Sequence, residues 1–185
     1  DERGNSIVPD GFGSLVIGGS FKGKAVFGDT SLASTGEHSG WVARVDGSGT
    51  FQWARGIFGN NSSQGCATDT IVTDALGGVY AAGYISGTAT FGDGFSLNCQ
   101  FIDAFVASFS EDGSTLWAQR LGSTGHDSGG GLLWDPSGDL LVSGVFEGTV
   151  GFGSSVLTSK GGPDLFIARR LDRVRVPRKP GEYPP

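Results

Sequence analysis

The sequence predicts an all-β protein of about three four-stranded antiparallel units, packed as blades of an incomplete, β-propeller-like arc. Three observations carry this expectation. The first is an internal repeat, since the stretch from Gly78 to Gly122 recurs on both sides of itself. Shifted 64 residues back, Gly83, Gly87, Phe91, Gly92, Phe105, Ala107 and Trp117 fall on Gly19, Gly23, Phe27, Gly28, Trp41, Ala43 and Trp53. Shifted 61 forward, the first six fall on Gly144, Gly148, Phe152, Gly153, Phe166 and Ala168. The second is that the apolar segments are short, lack helical periodicity and are bounded by Asp and Gly. The third is that they are apolar on both faces. Tyr80, Ala82 and Tyr84 point one way while Val79, Ala81 and Ile85 point the other, as in a sheet covered by neighbours on both sides.

Each unit opens with a short strand that ends in an apolar pair: Ile7 and Val8, Ile71 and Val72, Leu132 and Leu133. A tight turn follows over Asp10 to Gly13, Asp74 to Gly77 and Asp135 to Gly138. Asp binds its own backbone there and Gly accepts positive φ. The second strand is expected over Ser14 to Ser20, Gly78 to Ile85 and Asp139 to Phe146. A long glycine-rich loop with a Phe-Gly pair leads to the third strand, at Trp41 to Val45, Phe105 to Phe109 and Phe166 to Arg169. A second turn (Asp46 to Gly49, Ser110 to Gly113) precedes the fourth, at Phe51 to Arg55 and Thr115 to Arg120. The repeat region thus spans 1–172, with blades at about 1–59, 65–122 and 126–172. Residues 173–185 read as a disordered, basic, proline-rich tail.

The copies number about two and three-quarters, whereas a closed ring takes roughly four to eight. The sequence is therefore expected to be a segment of a longer protein, completed by further blades or by self-association through exposed blade faces. Net charge is −6, yet six of the 13 basic residues lie at or beyond Arg169. The repeat body is strongly acidic, which disfavours nucleic acid and anionic membranes as partners. No apolar run approaches the ~20 residues of a membrane-spanning helix.

The phrases GGVYAAGYISGTATFG, DAFVASFSEDGSTLWAQRLG and LLWDPSGDLLVSG resemble the bacterial β-propeller repeat of the SBBP type, across nearly all of residues 5–172. The resemblance implies a secreted or cell-surface setting and no reaction, because that family is not defined by catalytic residues. The expected function is a non-catalytic scaffold or binding module that meets a protein or glycan through its long-loop face. The alternative is a fragment of a propeller enzyme, quinoprotein-like or glycan-cleaving, with its catalytic groups elsewhere.

Individual residues point the same way. Asp46, Gly49 and Trp53, with Ser110, Gly113 and Trp117, resemble both the tryptophan-docking motif of quinoproteins and the Asp-box of sialidases. Each match is a residue out of step, so the tryptophans read as anchors between blades. Cys66 and Cys99 occur together in one unit only, at positions that a meander brings to one face, and a disulfide is expected. Asp29, Asp93, Asp103 and Asp164 are expected on the long-loop face, as turn and capping carboxylates rather than calcium ligands. His38 and His126 have no counterparts in the other copies and read as solvated loop residues. No catalytic residue, metal or cofactor is expected.

Overall fold

The structure, a computed structural model, describes residues 1–152 and 155–170. Gly153, the segment around Leu171 and Asp172, and the tail expected at 173–185 lie outside the described residues. All described regular structure is β, arranged as curled antiparallel sheet without helix.

The first unit runs β1 (Glu2–Pro9), β2 (Leu15–Phe21), β3 (Lys24–Phe27), β4 (Thr30–Ala33), β5 (Ser39–Val45) and β6 (Phe51–Gly59). Within it, β1, β2, β5 and β6 pair in that order, all antiparallel. The second runs β7 (Ala67–Thr73), β8 (Val79–Gly92), β9 (Phe95–Phe109) and β10 (Thr115–Leu121), again paired in chain order. The third comprises β11 (Ser128–Trp134), β12 (Leu140–Phe146), β13 (Thr149–Phe152), β14 (Ser155–Thr158) and β15 (Asp164–Arg170). In it β11, β12 and β15 form a three-stranded sheet.

The first turns form as the Asp and Gly spacing requires. Asp10 Oδ1 accepts the N–H groups of Phe12 and Ser14 at 2.7 and 2.9 Å. Asp74 does the same for Leu76 and Gly78 at 2.8 and 2.9 Å, and Asp135 for Ser137 and Asp139 at 2.7 and 3.0 Å. One side chain thus satisfies two otherwise unpaired turn donors.

The long loops differ from expectation because they are hairpins. β3 and β4 form a separate one, β13 and β14 another, and in the second unit β8 and β9 themselves continue to the turn at Asp93. The hairpin folds back over its own sheet. Phe27, Phe91 and Phe152 pack against Trp41, Phe105 and Phe166 in tilted or edge-to-face contact, with ring centroids 4.8, 5.1 and 5.0 Å apart. This contact is what the repeated Phe of the Phe-Gly pair does.

The folded-back hairpin also alters the sheet plan. Phe58 and Gly59 of β6 pair with Thr90 and Ala89 of β8, so the first two units join in one eight-stranded sheet instead of standing as separate four-stranded ones.

The core follows the two-faced strands. Val79, Ala81, Ile85, Phe105 and Phe109 share a buried cluster with Val16, Val42 and Ile57 of the first unit. On the reverse side, Tyr80, Ala82 and Val106 share one with Leu140, Val142 and Phe166 of the third. The middle sheet is therefore apolar on both sides because each side is buried. A third cluster holds Phe21, Phe27, Trp41 and Ala43 of the first unit.

Candidate functional site

Among the concave regions along the first two units, one of about 510 Å³ lies between Leu32, Phe58 and Phe95, and two others lie at opposite ends of the strands. The larger, about 820 Å³, lies at the turn end between Asp10, Arg44, Trp53 and Glu111. Arg44 sits inside the fully buried strand β5. Its guanidinium reaches Asp10 Oδ2 at 3.3 Å and donates to the carbonyls of Glu111 and Gly77 at 2.8 and 2.9 Å. Trp53 Nε1 donates to the same Glu111 carbonyl at 2.9 Å. Asp46 is taken up by Ser48, Thr50 and Gln52. Arg44 and Trp53 tie the first unit to the second here, while Asp46 and Asp112 are taken up within their own turns, which makes this region a structural seam.

The tryptophans fall where the anchor reading puts them. Trp53 packs against the cluster shared by the first and second units, and Trp117 against the one shared by the second and third. Gly113 is required beside Trp53, since its φ is +81° and a Cβ would lie 2.6 Å from Trp53 Cδ2.

The smaller cleft, about 410 Å³, opens at the long-loop end and is lined by Arg3, Phe21, Lys22, Glu37, His38 and Tyr84, among others. Here His38 departs from expectation. It is half-buried, and its Nε2 lies 2.7 Å from the Tyr84 hydroxyl across the boundary between units. The site is built by backbone fit: Cys66 N–H donates to the His38 carbonyl at 3.0 Å, and a Cβ on Gly65 would meet the imidazole at 2.5 Å. Burial holds the His38 pKa below its ordinary value and raises that of Tyr84, where Asp69 adds to the effect. Burial likewise raises Asp69, which accepts from Asn5 Nδ2 at 3.3 Å. Lys22 and Glu37 close one side as an exposed ion pair at 2.6 Å. The cleft thus combines aromatic surface with neutral donors and acceptors and a charged rim.

The other expected residues do not converge on it. His126 is exposed, 6.1 Å from the Phe101 ring. Asp29 is exposed at the β3–β4 turn, while Asp93 folds back so that its Oδ2 accepts the Thr115 N–H at 2.7 Å. Asp164 Oδ2 accepts from Lys160 N–H at 2.9 Å. Asp103 is buried and paired with Arg120 at 2.7 Å. The four carboxylates therefore do not share one face. The folded-back hairpin brings Asp93 beside Thr115, next to Phe109 at the end of β9, whereas Asp103 sits in the middle of that strand beside Ile85. Among the described residues, no group of three or more His, Cys, Asp or Glu is placed to hold a metal.

The expected disulfide is not present: Cys66 and Cys99 are free thiols. Cys66 lies in the buried core between the first two units, and Cys99 Sγ lies 3.3 Å from the Gly87 carbonyl. Burial raises the pKa of both, that of Cys99 to about 11.

Sequence reasoning missed Arg44, Tyr84 as the partner of His38, and Trp134, whose Nε1 donates to the Thr73 carbonyl at 3.0 Å. Arg44 carried a legible signal, a charge inside an apolar strand with a recurring turn Asp nearby. Tyr84 and Trp134 carried none, because their partners belong to other units.

No family model matches the chain, and no curated protein matches it.

Proposed function

We propose that this chain is a non-catalytic scaffold and binding module, of the SBBP-type β-propeller kind, belonging to a larger secreted or cell-surface bacterial protein. In this reading the units are blades, and the long-loop end is where a protein or glycan ligand is received. The observation that carries it is the His38–Tyr84 cleft, where a neutral hydrogen-bonding pair sits beside Phe21 and inside a rim of Arg3, Lys22 and Glu37. Aromatic faces with a few fixed polar groups suit a sugar or a polar peptide loop. The acidic, glycine-rich repeat body supplies the frame, and the loops carry recognition.

The test is a glycan array and a pull-down from the bacterial surface fraction, with and without calcium, using the wild type and His38→Ala. A ligand whose binding falls at least about tenfold in His38→Ala supports the reading. Binding that is indifferent to His38 and Arg3 substitutions, or hydrolysis of the glycan, would overturn it.

A further inference from the structure

We propose that the outer face of the third unit receives the outer face of the first unit of a second copy of this chain, head to tail, in the register already used between units inside the molecule. Two repeated sets of positions, related by the shifts of 64 and 61, carry the argument.

One set is the receiving face. Val42 and Val106 are 0 and 2% exposed because the next unit covers them; their counterpart Ile167 is 69% exposed. Ala104 is 0% exposed, whereas its counterpart Leu165 is at 69%. Leu133 and Val145 extend this apolar patch, both exposed. The other set is the inserting face. Val79 and Leu140 are each 0% exposed where their units meet the preceding one, but Leu15, their counterpart in the first unit, is 39% exposed. Among the described residues, each outer face therefore lacks the kind of neighbour that the other one supplies.

A polar contact fixes the register independently. Arg44, braced by Asp10, reaches from the first unit to the Gly77 and Glu111 carbonyls of the second. Arg169 is its counterpart in the third unit, braced by Asp135 at 2.8 Å as Arg44 is by Asp10, and by Asp139 at 2.5 Å as well, with its guanidinium half-exposed at the open face. The positions equivalent to Gly77 and Glu111 are Gly13 and Gly47 of the first unit, which lie side by side. Head-to-tail docking sets Arg169 against those two carbonyls of the second copy. Such an interface is heterologous, using different patches on the two partners.

Sedimentation velocity over a concentration series tests this with the wild type, Leu15→Asp, Ile167→Asp and Arg169→Ala. These positions are at least partly exposed, and circular dichroism confirms that each variant folds. Wild type should associate, and each variant should shift the midpoint at least about tenfold upward in concentration. A mixture of Leu15→Asp and Ile167→Asp retains one intact pair of faces and should give one-to-one heterodimers, where either variant alone stays monomeric. A wild type that stays monomeric at high concentration would show that something else covers these faces and would overturn the proposal. So would variants that associate like wild type, or a mixture that remains monomeric.

Discussion

Asp103 shows how one side chain can set a pH response. Its carboxyl is buried, its Oδ2 is paired with Arg120, and its Oδ1 has no hydrogen-bond partner among the described residues. Burial, together with the nearby Asp127 carboxylate, pushes its pKa up to about 6 against the pull of Arg120. Because the folded-state value lies above the unfolded one of 3.8, the folded state holds its proton more tightly. The corresponding stability is fully present below about pH 4 and is lost as pH rises through about 6. The melting temperature of the wild type, measured from pH 7.5 down to 5, should gain relative to Asp103→Asn; parallel curves would refute this role. None of it was legible in the sequence, where Asp103 reads as one more acid before a strand. Arg120 is 17 residues away in sequence, and only strand pairing brings it alongside.

At the level of elements, the turns and the hairpins divide what is local from what is not. Turns closed by Asp10, Asp74 and Asp135 were legible because every contact they need lies within four residues. The folded-back hairpins were not, because Phe91 finds Phe105 only after the loop reverses across the sheet. Gly113 and Gly94 separate backbone from packing effects: φ is +81° and +82°, but only Gly113 faces a neighbour within 4 Å, the Trp53 indole. Gly94→Ala should cost about 1 kcal/mol for the positive φ alone. Gly113→Ala should cost about 2 to 4 kcal/mol, since it also displaces an anchor between units. Denaturant midpoints that coincide for the two variants would argue against Trp53 as that anchor.

For the whole molecule, burial is greatest in the middle and least at the third unit. β8 and β9 contribute to two buried clusters, whereas Leu165 and Ile167 of β15 face outward and, among the described residues, only β12 pairs with that strand. Hydrogen exchange should therefore be slowest for Ala81, Ala82 and Val106 and fastest for the amides of β15, with the first unit between. Uniform protection across the three units would contradict this gradient. The sequence by itself determined the all-β class, the repeat, its turns and the two-faced strands, because these depend on local spacing and on which residues avoid water. Only the tertiary structure decided that the first two units share one sheet, that the loops fold back, and that His38 meets Tyr84. Each of those depends on groups 14 to 46 residues apart in sequence whose meeting is set by packing, which leaves no periodic trace in the chain.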